Sequence, residues 1–181
     1  TVNMPSQEEV DKFLPPYKAP YKLDVTNPLT LGPLVDPEFY TEARFALNET
    51  HKEALALIPK ITSEFSNVFG RNYNGLIEEY QMKDAERVIV AMGSVCGTIK
   101  DVIDELRKKG KKVGLLKVTS LRPFPSSHIY EALKNATKVA VIDRALSLGS
   151  FAPLASEIKA VFFGKVKKPK VISSFIVGLG G

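Results

Sequence analysis

Tryptophan is absent from these 181 residues, cysteine occurs once and histidine twice. A lone cysteine, Cys96, cannot close an internal disulfide, and it cannot by itself hold an iron–sulfur cluster or a cysteine-based zinc site. It fits a reducing compartment, so the chain is expected to be cytoplasmic. His51 and His128 lack the spacing of metal ligands, and no metal site is expected. His51 falls among charges in a helical stretch and His128 on a short helix, so both are expected to be solvated. No apolar run approaches the ~20 residues needed to cross a bilayer, and no signal-peptide pattern opens the chain. No membrane association is expected.

What is present is uneven. Residues 1–80 carry 7 Lys+Arg against 12 Asp+Glu, a net charge of −5, whereas residues 81–181 carry 18 against 8, a net of +10. Such a split indicates two parts with different surroundings. A basic part attracts polyanions, acidic proteins or phosphorylated ligands, or is simply a solvated lysine surface. The densest tract, "RKKGKK" (107–112), falls at a helix end, where cations oppose the negative end of the helix dipole. Aromatic residues do not alternate with these lysines, so no nucleic-acid partner is expected. The first residue is Thr1, and the last residues, "FIVGLGG", read as a buried strand entering a glycine turn. Both observations suggest a piece of a longer polypeptide.

Seven of the twelve prolines lie in residues 1–37. Proline lacks an N–H and pushes its predecessor toward extended geometry. Ser6 with Glu9 three residues on reads as a capping box for a short helix near 6–13. The rest of 1–36 is expected to be an extended, proline-rich interdomain segment. Its many leucines and tyrosines suit a chain that wraps over another surface rather than a solvated linker. Residues 37–80 read as a long helix and a connector. Asp36-Pro37 is an N-cap and N1 pair. Apolar or small residues at 39, 43, 46, 54, 57, 61, 65 and 68 share one face. Pro59 interrupts the hydrogen-bond ladder, and Gly70 is a natural C-cap. At about 1.5 Å per residue the helix would reach roughly 50 Å, the length of a strut or a partner-facing arm. A turn is expected at Asn74-Gly75.

Residues 81–181 alternate between strands and helices. Strands are expected at 87–93, 112–121, 138–145 and 170–178. Helices are expected at 97–110, 126–136 (capped by Ser126 or Ser127) and 151–164. Strands this apolar, separated by helices, predict a three-layer α/β domain: a mainly parallel sheet with helices on both faces.

Ligands of such sheets sit beyond the carboxyl ends of the strands. Three segments meet there: "GSVCG" (93–97), "SLRPFP" (120–125) and "DRALSLGS" (143–150). The first is G-x-x-x-G, neither a dinucleotide fingerprint nor a P-loop, and the second strand ends in "TSLR" without the ribose-binding carboxylate. Two readings remain open. A helix N-terminus with Gly93 and Ser94, helped by Arg122 and Arg144, offers a phosphate site. Alternatively, Gly93 and Gly97 only let strand and helix pack closely. Cys96 is expected to be a small buried residue. Asp143 and Arg144 form a structural ion pair or orient a ligand. No nucleophile–base constellation is present, and no catalytic residue is assigned.

Taken together, "ERVIVAMGSVCGTIKDVIDELRKKGKKVGLLKVTSLRPFP", "VAVIDRALSLGSFAPLASEIKA" and "FIVGLGG" resemble the C-terminal domain of the α chain of 2-oxoacid:ferredoxin oxidoreductases, with pyruvate:ferredoxin oxidoreductase (pyruvate synthase) nearest. "EEVDKFLPPYKAPYKLD" and "NPLTLGPLVDPEFY" resemble the same family's interdomain segment. The resemblance implies a transketolase C-terminal-like fold. It also implies an enzyme that oxidatively decarboxylates a 2-oxoacid on thiamine diphosphate and Mg2+, passes the acyl group to coenzyme A, and sends electrons through [4Fe-4S] clusters to ferredoxin. In such enzymes of anaerobic metabolism the catalytic groups lie on other domains and on β, γ and δ subunits. This domain is then a non-catalytic assembly element that binds no cofactor itself. A coenzyme A or other phosphate site at Gly93, Ser94, Arg122 and Arg144 is the alternative, and a lysine surface at 108–112 that steers ferredoxin is a third idea. Against the family pattern, Cys96 replaces a usual alanine and the chain stops at "GLGG".

Overall fold

The computed structural model describes residues 4–32, 34–73 and 75–180. The chain divides into two units, Thr1–Tyr73 and Asn74–Gly181.

In the first unit, α1 (Gln7–Phe13) begins with the expected capping box: the Ser6 side chain accepts from the Glu9 N–H, and the Glu9 carboxylate accepts from the Ser6 N–H at 2.8 Å. The long helix α2 spans Pro37–Phe69, and Gly70 closes it in the left-handed conformation, φ 63°. Asp36 stands at the N-cap but makes no side-chain cap bond. Phe13 packs edge-on against Phe65 and Phe69, each with ring centroids 5.4 Å away, so α1 folds back onto the last turns of α2. Elsewhere α2 buries no residue, and Phe39, Tyr40, Phe45 and Leu57 on it stay about half exposed. In the proline-rich segment Tyr17, Leu23 and Leu34 are largely exposed as well.

The second unit is a five-stranded sheet in the order β1-β3-β2-β4-β5. The strands are β1 (Ile77–Tyr80), β2 (Arg87–Ala91), β3 (Val113–Val118), β4 (Lys138–Asp143) and β5 (Val171–Ile176). The helices are α3 (Val95–Lys108), α4 (Ser126–Leu133) and α5 (Pro153–Val161). β2 to β5 are parallel, and β1 adds an antiparallel edge to β3. The three-layer expectation holds. On one face α4 and α5 pack Ile129, Leu133, Ala155 and Ile158 against Val88, Val90, Leu116, Val139 and Val141. On the other, α3 lays Cys96, Ile99 and Ile103 over Ala91, Val113 and Leu115. Each such aliphatic side chain contributes about 1.5–3 kcal/mol by leaving water. No helix of the described residues is long and apolar enough to cross a membrane.

Four sequence expectations need correction. Residues 77–80 are not connector but a strand of the sheet, with Glu78 and Tyr80 in register with Lys117 and Leu115. Neither Ser126 nor Ser127 caps α4, which is entered from Pro125 and ends at Leu133 rather than 136. The last strand is an edge, not a buried strand: Val171 and Phe175 are about half exposed, because only β4 pairs with β5 and α3 covers the β2–β3 side. Gly93 and Gly97 are not close-packing devices, since a Cβ at either would meet nothing within 4 Å. Gly93 is required instead by its φ of 73°, which turns the chain from β2 into α3. Nothing in the structure explains glycine at 97. The Asn74 half of the expected Asn-Gly turn lies outside the described residues.

Candidate functional site

The crevice at the carboxyl ends of β2, β3 and β4 is where a ligand of this architecture would sit. Its polar groups are mostly taken by the domain itself. Asp143, the last residue of β4, is buried, with 7% of its surface exposed. Its two carboxylate oxygens accept the backbone N–H groups of Leu154 at 3.1 Å and Ala155 at 3.2 Å. These are the second and third residues of α5. The first, Pro153, has no N–H, and the Ser156 N–H already donates to the Ala152 carbonyl at 3.0 Å. Asp143 thus caps α5 from ten residues upstream, and the helix offers no free first-turn donor to an anion. It pairs with a helix end rather than with Arg144.

The two candidate arginines point to different places. Arg122 is exposed; it donates to the Leu121 carbonyl at 2.7 Å and forms an ion pair with Glu157 of α5. It lies in the turn that contains the cis Arg122–Pro123 peptide. Arg144 runs toward the other side, against the turn after β5: a Cβ on Gly178 would stand 3.0 Å from its Nε. Gly93 and Ser94 are exposed at the start of α3, on the opposite face of the sheet from α5. Ser94 makes no side-chain cap bond, and two first-turn N–H groups are spent locally, Cys96 to the Gly93 carbonyl at 3.3 Å and Gly97 to the Ser94 carbonyl at 3.1 Å. The four candidates therefore surround the crevice without converging on one point through shared partners.

Cys96 is 2% exposed, and burial pushes its thiol pKa up, so it is not a ready thiolate. His51 and His128 are exposed. No cluster of three metal-ligating side chains occurs among the described residues. One buried cysteine cannot by itself ligate an iron–sulfur cluster.

The sequence reading missed a charged network under α3. Glu78 of β1 accepts from Lys100 of α3 and from Lys117 of β3, the latter at 3.1 Å. Hydrogen bonds from the two lysines hold the Glu78 carboxyl below the usual range, and Glu78 raises the Lys100 ammonium. Beside them the Tyr80 hydroxyl donates to Asp104 at 2.8 Å, which raises the phenol's pKa. At the end of α3, Arg107 bonds the Val113 carbonyl at 2.6 Å, Asp84 at 2.6 Å and the Gln81 carbonyl. These contacts staple α3 and β1 to the central strands. The alternation in "IEEY" puts Glu78 and Tyr80 on one face and was the one signal that could have shown them.

A mainly parallel sheet with an antiparallel edge strand and helices on both faces defines an α/β domain. Residues 85–181 match the family described as pyruvate:ferredoxin oxidoreductase core domain II, and the chain belongs to that family. It is 47% identical over 180 residues to the pyruvate synthase subunit PorA of Methanothermobacter thermautotrophicus, covering 99% of this chain and 45% of that protein. PorA of Methanocaldococcus jannaschii is 43% identical, with 99% and 46% covered. The ketoisovalerate oxidoreductase subunit VorA of Pyrococcus horikoshii is 41% identical with the same shares covered. The chain thus spans about half the length of the curated relatives it matches. A 2-oxoglutarate:ferredoxin oxidoreductase from Magnetococcus marinus aligns over 70% of this chain and 20% of that one at 18% identity and a TM-score of 0.44, a likeness that adds nothing to the sequence match.

Proposed function

We propose that the chain is the non-catalytic assembly part of the α subunit of a 2-oxoacid:ferredoxin oxidoreductase. Residues 1–36 would act as the interdomain segment, 37–73 as the long helix with its connection, and the unit from 74 to 181, which takes in β1, as the α/β domain. The whole enzyme would oxidise a 2-oxoacid to acyl-CoA, CO2 and reduced ferredoxin. Its thiamine diphosphate, Mg2+ and [4Fe-4S] clusters would be held by other domains and by β, γ and δ subunits. Pyruvate is the favoured substrate, since the pyruvate synthase relatives are 47% and 43% identical against 41% for the ketoisovalerate relative. The observation that carries the assembly reading is Asp143: it occupies the start of α5, so that helix end offers no first-turn donor to a phosphate.

The competing reading, coenzyme A phosphate held at Gly93, Ser94, Arg122 and Arg144, retains one supporting feature, the exposed and side-chain-uncapped start of α3. The test is the double variant Ser94→Ala/Arg144→Ala in the full-length polypeptide assembled with its companion subunits, assayed for 2-oxoacid- and CoA-dependent ferredoxin reduction. The assembly reading expects kcat and the KM for coenzyme A within about twofold of the parent. A rise in that KM of about tenfold, roughly 1.4 kcal/mol of lost binding, would replace it with the ligand reading.

A further inference from the structure

The end of the sheet opposite the crevice carries a cluster of cations without ion-pair partners among the described residues. Arg87 opens β2, Lys138 opens β4 and Lys170 directly precedes β5. Arg87 is in register with Lys138, and Lys138 with Val171. Arg87 and Lys138 therefore stand side by side, about 4.8 Å apart from strand to strand, and Lys170 follows on the next strand, one residue out of register with Lys138. Arg87 and Lys138, like charges directly opposite, disfavour the fold, and an opposite charge set beside them would relieve it. The turn into β5 adds Lys165, Lys167 and Lys168, all exposed. Three acids at this end are already engaged, Asp84 by Arg107, Glu86 by Lys112 and Glu131 by Lys134, while Glu79 and Glu105 make no ion pair among the described residues. The six cations just named make no ion pair among the described residues. After internal pairing, the six free cations outnumber Glu79 and Glu105, and the balance at this end is positive.

Two further features give this face the character of a docking surface. Phe163 is 90% exposed and Val166 fully exposed in the same turn as the lysines, supplying apolar contacts amid charge. A cavity of about 240 Å³ opens beside the row, lined by Arg87, Lys111, Lys112, Gly110 and the Lys112-bound Glu86, with room for a single carboxylate side chain. We infer that the amino-terminal rim of the sheet docks the acidic surface of another protein. Electrostatic attraction would set the approach, Arg87 would take a projecting carboxylate, and Phe163 and Val166 would make the apolar contact. Single-stranded nucleic acid fits less well, because Phe163 is the sole exposed ring available for stacking in the turn. A membrane fits less well, because the apolar surface is two side chains rather than a continuous face. The inference stands apart from the reaction proposed above.

The probe is a fluorescein-labelled glutamate-rich peptide of about 20 residues, titrated against the full-length polypeptide in its native complex by anisotropy at about 0.1 M and about 0.5 M salt. Binding is expected at the lower salt and should be lost at the higher. Arg87→Glu/Lys138→Glu/Lys170→Glu should weaken it by about tenfold or more. So should Lys165→Glu/Lys167→Glu/Lys168→Glu, which lies outside the strands and guards against misfolding of the first variant. Lys52→Glu/Lys60→Glu on α2 should leave it unchanged. Unchanged affinity in both rim variants overturns the inference. So does tighter, rim-dependent binding of a single-stranded DNA of similar length or of vesicles containing phosphatidylglycerol.

Discussion

Replacing Asp143 by alanine removes both acceptors at the start of α5. The Leu154 and Ala155 N–H groups lose their 3.1 and 3.2 Å bonds, and no side chain at the N-cap, Ala152, can replace them. A buried donor left unsatisfied costs about 1–3 kcal/mol, and loss of a helix cap falls in the same range. Two donors would give up to about 6 kcal/mol, but the neighbouring Arg144 and Ser150 are exposed, so water reaches the vacated site and about 2–4 kcal/mol is expected. For a unit of about 100 residues this lowers the unfolding midpoint by roughly 10–25 °C. Asp143→Asn keeps one acceptor and should lose about half as much. Thermal unfolding of the full-length protein followed by circular dichroism gives the stability, and hydrogen exchange at Leu154 and Ala155 gives the local opening. The reasoning is refuted if alanine costs less than about 0.5 kcal/mol and both amides stay protected, since their partner would then lie elsewhere. Inorganic phosphate should stabilise the alanine variant more than the parent, because clearing the carboxylate exposes a helix end that attracts anions.

Gly114→Ala should destabilise by about 1–3 kcal/mol in urea unfolding, because its Cβ would stand 2.8 Å from the Gln81 carbonyl oxygen, 2.9 Å from Met82 Sδ and 3.0 Å from Ala85 Cβ; an unchanged midpoint would mean that the 81–85 segment is not held against β3. Glu78 has a depressed carboxyl pKa, so its stabilising effect is present above its unfolded value and is lost as pH falls through the folded one. Lys100 has a raised pKa, so its effect is present below its unfolded value and is lost as pH rises through the folded one. Glu78→Gln should therefore be less stable than the parent at neutral pH, with the gap closing toward acid. A gap that stays constant from pH 7 down to about 3 would remove the ion pairs as its cause.

How far the sequence reaches can be argued from single residues. The helix α2 is legible because Pro37 and Gly70 mark its ends and its stripe repeats at the helical period, none of which depends on distant parts of the chain. The central strands are legible for a related reason: a strand covered on both faces must be largely apolar, and "VGLLKV" and "RVIVA" are, apart from Lys117 and Arg87. β1 escapes because it is an edge strand of four residues, two of them glutamates, and its burial arises only once α3 lies over Glu78 and Tyr80. Asp143 escapes for a deeper reason. At the end of an apolar strand beside an arginine, a carboxylate reads equally well as half of an ion pair or as a ligand contact. Only the path of the loop from 144 to 152 decides that it meets a helix end ten residues later. Local patterns are set by neighbours in sequence, whereas the donors and acceptors of a crevice are matched by neighbours in space. A glycine-bearing βα turn such as 93–97 keeps the outline of a phosphate site whether or not its donors remain free. Whether such a turn serves a ligand or only a fold is therefore decided by the partners of its hydrogen-bonding groups, and here two of them bond back within the turn.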